Sequence, residues 1–373
     1  MNKHHDAAVR ARRRWRSMVW SMMAIVFLAM ALPSAGYLFA QVGEPTGEPQ
    51  RQFSEQRETN PRSDMWRDGR RGEGGFTTQT GPYVTNQLMT NVGENYRQIR
   101  QGPLMTVGGW FLVAVFLAIT AFYLLTGQKK IDGGRTGRTI VRWKAYERFL
   151  HWFNAICFII LAITGLSLLF GRTVLIPIVG HQAFSSYAEF AYGAHNFVGP
   201  AFSVGVLVMI VLWARHNIPK KHDWVWFKEG GGIIGNKHPP AGKMNGGEKV
   251  WFWVGVFALG LTVIITGLIA LFPNLGFQTR EIMSWALIIH ATAAILWMGL
   301  FLGHAYIGTL GTEGALEGMT RGRVDVAWAK QHHDLWYEDV VAAGEKPVSE
   351  EELHGRQQQG PAPGSTPAGE RGT

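Results

Sequence analysis

Cysteine is nearly absent from this chain of 373 residues, where Cys157 stands alone. One cysteine closes no intrachain disulfide, builds no Cys-rich zinc or iron–sulfur site and cannot form the Cys-x-x-Cys-His attachment of a c-type haem. Any metal centre must therefore draw mainly on His, Met or carboxylates. Charge is scarce too: Asp, Glu, Lys and Arg make up 17% of the residues, where a large soluble domain carries about a quarter. With 47% hydrophobic residues, 15 Trp and 21 Phe, a disordered tail, a collagen-like fibre and a disulfide-stapled secreted domain are excluded, and the balance points to the membrane.

Crossing a hydrocarbon core of roughly 30 Å takes about 20 apolar residues. Six stretches are long enough, near residues 18–40, 104–126, 149–170, 192–214, 250–272 and 283–310. The first follows Arg10, Arg12, Arg13, Arg14 and Arg16 and ends in small residues around Ala35 and Ala40, so residues 1–40 read as a signal peptide or a retained membrane anchor. Residues 41–103, rich in Gly, Pro, Arg, Glu and Gln, cannot bury enough apolar surface to fold alone and read as a polar, flexible periplasmic segment. Residues 104–126 form an additional transmembrane helix, and the tail from about 340 to 373 reads as disordered. Lys and Arg set the orientation. The loops 127–148 and 215–249 hold seven each, whereas 171–191 and 273–282 hold one each. The first two, and everything after 311, belong in the cytoplasm.

Among 13 histidines, most fall in solvated loops and tails. His151, His195, His290 and His304 instead fall within or at the head of apolar segments, where an ionisable side chain is costly and suggests function. His290 and His304 are 14 residues apart on one helix, which is about 21 Å of rise and about 40° short of four turns. They share a face at two depths. From the direction of each helix, His151 lies at the inner depth with His304, and His195 at the outer depth with His290. Two imidazoles facing across a bundle are what a six-coordinate b-type haem requires. Zinc and copper sites want about four ligands at one depth. A proton relay would normally include acidic or basic residues that these helices lack, although it competes for the same histidines. Gly165 follows Thr164 in AITGL and Gly267 follows Thr266 in IITGL. These small residues admit either a flat ring or a neighbouring helix. Arg148 and Arg172 are candidates for haem propionates or plain membrane anchors.

Over about residues 138–335 the chain resembles the gamma subunit of respiratory formate dehydrogenase, the cytochrome b556 anchor. The matching residues are RFLHW at the head of one helix, His195 at the head of the next, RHNIPKKHD, KMNGGEK at 243–249, LIIHA and LGHAY spaced by 14, and EGMTRGRVDVAWAKQHHDLWY. The resemblance implies an all-α integral membrane protein, a four-helix di-haem cytochrome b bundle, to which this chain's own apolar runs add one or two extra N-terminal hydrophobic helices. It implies two haem b, the inner ligated by His151 and His304 and the outer by His195 and His290. A quinone, menaquinone or ubiquinone, would be reduced at Asn245, Gly247 and His304. Without the resemblance, Asn245 and Gly247 read as a turn and cap. The implied partners are an iron–sulfur beta subunit and a molybdenum or tungsten catalytic alpha subunit, in the bacterial inner membrane, with membrane lipid and quinone but no nucleic acid. The chain would not oxidise formate alone. Rival readings are the cytochrome b subunit of a nickel–iron hydrogenase or related quinone-reducing oxidoreductase, and a haem-free transporter or assembly anchor. About 137 residues at the front have no counterpart in the short form of the family.

Overall fold

The computed structural model describes residues 91–232, 237–273, 279–349 and 351–352. The expected leader or anchor at 1–40, most of the polar stretch 41–103 and the tail beyond 352 lie outside the described residues. Along the chain run α1 (Gly93–Thr126), α2 (Ala145–Val174), α3 (Ile176–Trp213), the short α4 (Lys221–Lys228), α5 (Gly246–Leu271) and α6 (Arg280–Tyr306). All but α4 are long and apolar enough to cross a membrane. The described residues divide into two compact units, one formed by 91–127, 150–215 and 250–307, the other by 128–149, 216–249 and the residues from 308 onward.

Three boundaries differ from the sequence reading of the first unit. Helix begins about ten residues before 104, inside the stretch expected to be flexible. Its polar start is held by Arg97, which donates to Glu94 at 2.7 Å, and Pro103 is absorbed in a π-helical turn, Arg100–Leu104. An i→i+5 turn accommodates a residue that has no N–H to give. The expected outer loop 171–191 is also helical, with only Leu175 between α2 and α3. The chain redirects inside α3 at Gly180, whose φ of 80° L side chains rarely adopt. His181 therefore sits in a helix, and Gly171 leaves room for Phe184, whose ring would lie 2.3 Å from a Cβ at that position.

Helix α1 docks by reciprocal insertion. A Cβ at Gly108 would lie 2.7 Å from Ile295, and one at Gly299 would lie 2.4 Å from Phe111. Each large side chain fills the notch left by the opposite glycine, and small residues of this kind let helices approach closely in a membrane. Leu104, Met105 and Leu112 join Leu166, Phe170, Ile295, Met298 and Leu302 in one buried cluster.

The second unit contains a feature outside the all-α expectation, a small antiparallel sheet of order β2-β1-β3. Its strands are β1 (Arg138–Val141), β2 (Arg323–Asp325) and β3 (Val348–Ser349), with Ile140 opposite Val324 and Thr139 opposite Val348. Helices α7 (Ala315–Thr320), α8 (Val326–His332) and α9 (Asp334–Ala342) complete it. The strands are two to four residues long, too short for an alternating pattern to register. Residues 340–349, expected as part of the disordered tail, finish α9 and supply β3. Asp325 caps α8 through the Ala327 N–H and also accepts from the N–H groups of Thr136 and Gly137.

Arg142, 5% exposed, lies among the rings of Trp143, Trp328 and Trp336 at 5.0–5.6 Å. It donates to Lys243 O, Glu248 Oε1 and His333 Nε2. An arginine only donates, so His333 Nε2 accepts while its Nδ1–H donates to Gly242 O at 2.8 Å, and the ring is neutral. Burial, followed by the Arg142 charge, holds the His333 pKa well below 6.5. Burial, followed by His238 and Arg142, lowers His332 to about 4.

Replacing Gly299 by Leu is expected to cost about 1–3 kcal/mol by overpacking against Phe111, read as a lower unfolding temperature, and Phe111→Ala in the same chain should recover part of it. The two lowered histidines give a pH dependence of definite sign. Below pH 6.5 the unfolded chain takes up protons that the folded chain refuses, so stability is full above that pH and falls beneath it, for His332 down to about pH 4. Each contributes at most about 1.4 kcal/mol per pH unit. Melting of the full chain between pH 7.5 and 5 checks this, and a His333→Asn chain should show a shallower fall.

Candidate functional site

The four membrane histidines gather in pairs within the first unit. His151 on α2 faces His304 on α6 with ring centroids 6.2 Å apart, and His195 on α3 faces His290 on α6 at 6.2 Å. The pairing expected from depth is the pairing that the helices bring together. With metal–imidazole bonds of about 2 Å, two rings holding one metal between them would have centroids about 6 Å apart, which each gap would suit. Among the described residues no three His, Cys, Asp or Glu gather as a metal-binding group, leaving two ligands at each level.

The His195 and His290 rings are held from behind. Thr164 Oγ1 donates to Ile160 O at 2.8 Å and lies 2.8 Å from His195 Nδ1. Thr266 Oγ1 donates to Thr262 O at 2.6 Å and lies 3.1 Å from His290 Nδ1, which is also 3.1 Å from Val263 O. The glycine after each threonine leaves the space that the ring occupies. A Cβ at Gly165 would lie 3.3 Å from His195 Cε1, and one at Gly267 would lie 3.2 Å from His290 Cε1. The two Thr-Gly steps of the sequence are thus two equivalent seats, on α2 and on α5.

The other pair is built differently. Trp251, at the head of a π-helical run Trp251–Leu259, stacks on His304 with 4.5 Å between centroids and 4° between planes. Among the described residues, His151 Nδ1 is buried without a hydrogen-bond partner. Between the pairs lies an aromatic block in which Phe158 touches Phe202, Trp297 and Phe301 at 4.7–6.1 Å. Trp297 stands seven residues from both His290 and His304, packed against Gly255 and Gly260 of α5, where a Cβ would come within 3.3 Å of the indole. Sequence reading missed Trp251 and Trp297. The signal for Trp297 was its place midway along the 14-residue spacing, whereas Trp251 depends on a π-helical phase that no periodicity reveals.

Asn245 and Gly247 lie in the second unit, while His304 belongs to the first. Asn245 Oδ1 accepts from the Glu248 N–H at 2.9 Å, and Glu248 Oε2 accepts from the Asn245 N–H at 2.8 Å. That reciprocal pair caps the start of α5. Gly247 accommodates the Trp226 ring, which would lie 2.8 Å from a Cβ there. Arg148 donates to Thr320 O at 2.8 Å, and its Nε is buried without a partner.

Residues 142–322 match the family described as prokaryotic cytochrome b561. The chain is 33% identical over 218 residues to the nitrate-inducible formate dehydrogenase cytochrome b556(Fdn) subunit of Escherichia coli (strain K12), a match covering 57% of this chain and 97% of that one. It is 32% identical over 211 residues to the formate dehydrogenase cytochrome b556(fdo) subunit of the same strain, covering 56% and 96%. To the formate dehydrogenase cytochrome b556 subunit of Haemophilus influenzae it is 30% identical over 210 residues, covering 54% and 84%. Fold and site together define a multi-pass membrane cytochrome b of the b561 type. The chain belongs to the family of formate dehydrogenase cytochrome b556 subunits. Helix α1 precedes the matched residues.

Haem b goes with this family, and the residues present fit it. His151 with His304 and His195 with His290, each pair facing at 6.2 Å, are the residues that would hold it. The Thr-Gly seats keep Nδ1 of His195 and His290 engaged, leaving Nε2 of each free for a metal, as the outer partners of metal-bound histidines do.

Proposed function

We propose that this chain is the membrane cytochrome b subunit of a formate dehydrogenase, anchoring the complex and carrying electrons from its iron–sulfur subunit through two b haems to the quinone pool. His151 and His304 would hold the inner haem, and His195 and His290 the outer one. The observation that carries this reading is the pair of facing imidazole couples, each at 6.2 Å, on a chain that aligns with 97% of a formate dehydrogenase cytochrome subunit. A b haem with two histidine ligands exchanges single electrons and keeps no position open for oxygen or substrate.

The polypeptide's part is to hold the rings and exclude water. Thr164 and Thr266 orient two imidazoles from behind, Trp251 lies flat on a third, and the Phe158–Trp297 block fills the bundle between the couples. The distribution of Lys and Arg supports a bacterial inner-membrane location with the loops 127–148 and 215–249 and the C-terminus in the cytoplasm. The iron–sulfur and catalytic subunits would then meet the outer side, with quinone, menaquinone or ubiquinone, reduced toward the cytoplasm. By the family resemblance, Asn245, Gly247 and His304 would serve the quinone. The conversion of formate belongs to the partner, since one cysteine cannot ligate an iron–sulfur cluster.

In the purified full chain, His195→Ala and His290→Ala should each remove the same haem b, and His151→Ala and His304→Ala should each remove the other. Haem quantitation with low-temperature difference spectra tells them apart, and loss of different haems within a couple would contradict the pairing. Gly165→Leu, which drives a side chain into the His195 ring, should cost the same haem as His195→Ala. Gly193→Leu, with nothing within 4 Å of a Cβ at that site, should keep both.

A further inference from the structure

The two couples differ in what lies behind their rings. The Thr164 hydroxyl has carbonyls to donate to in Ile160 O at 2.8 Å and Leu161 O at 3.2 Å, and with its hydrogen so turned its oxygen faces His195 Nδ1 as an acceptor at 2.8 Å. His195 then carries its proton on Nδ1. Thr266 repeats the arrangement with Thr262 O. His290 Nδ1 also faces Val263 O at 3.1 Å, and a carbonyl only accepts. Both rings are fixed as the tautomer with a bare Nε2, and both donate from the opposite nitrogen. Among the described residues there is no such acceptor behind His151, whose Nδ1 is buried without a hydrogen-bond partner there.

An imidazole that donates its outer N–H becomes a more basic ligand, and a more basic ligand favours the oxidised, more positively charged iron. Second-shell hydrogen bonding is one of the levers that set the potential of a haem. We propose that Thr164 and Thr266 are positioning residues that fix the ligating tautomer of His195 and His290 and hold that centre at a lower potential than the His151/His304 centre. The proposal rests on the two-haem reading above. It orders the centres so that an electron moves downhill from the His195/His290 couple to the His151/His304 couple.

The test is a spectroscopic redox titration of the full chain, with the centres assigned by comparison with His151→Ala. Thr164→Val keeps the volume and removes the acceptor. It should shift the lower midpoint upward, leave the higher one unmoved and change the low-spin EPR signal of that centre alone. Thr164→Ser should restore the wild-type midpoint. Thr266→Val should shift the same midpoint by less, because Val263 O still accepts. If Thr164→Val retains both haems with both midpoints unchanged, or if the His195/His290 centre is the higher of the two in the wild type, the proposal is overturned while the two-haem reading stands. A wild-type chain without two b-type midpoints overturns that reading and the proposal with it. If Thr164→Val loses the haem, Thr164→Ala serves in its place, and a wild-type midpoint in that chain overturns the proposal.

Discussion

An imidazole buried among apolar helices carries a desolvation cost that partners for its nitrogens reduce. Four such rings in one bundle therefore constrain everything around them. Each couple must meet across the bundle at one level, which fixes the directions of α2, α3 and α6. The levels must be separated by nearly whole turns of α6, which the 14-residue spacing, a little under four turns, supplies. The space around the rings must be kept free of side chains, which accounts for glycine at 165 and 267. Oxygen acceptors stand behind the His195 and His290 rings, which accounts for threonine one residue earlier. The Thr-Gly dipeptide thus solves two problems at adjacent helix positions, once on α2 and again on α5.

Much of this was legible in the sequence because membrane helices leave few alternatives. Length and apolarity place the helices, and the alternating direction of successive helices then gives each histidine its level, from which the couples follow. Less visible was the reason for the threonines. Their hydroxyls bond back to carbonyls four residues earlier, as they do in many membrane helices, and only the position of the facing ring shows that the second lone pair is used. Trp251 was hidden for a different reason: a π-helical run of nine residues shifts the phase on which any helical reading depends.

The errors also have physical causes. Residues 91–104 are polar by composition, yet the segment runs into Leu104 and Met105, which are buried in one cluster with Leu112, so packing overrides the local signal. The segment 171–191 reads as a loop because His, Gln, Ser and Tyr interrupt its apolar run, but backbone hydrogen bonding and the Gly171–Phe184 and Ser167–Tyr187 contacts keep it helical. In the second unit, short strands and a buried Arg142 held by three tryptophans form a polar-centred core, which hydropathy alone assigns to the surface.

The central claim is that this chain holds two haems, one in each histidine couple. Pyridine-haem quantitation against protein concentration, on the full chain purified in detergent after expression with haem supply, tests it most directly. The account predicts about two haem b per chain with a low-spin reduced-minus-oxidised spectrum. A chain that folds and carries none, or only one, would contradict it.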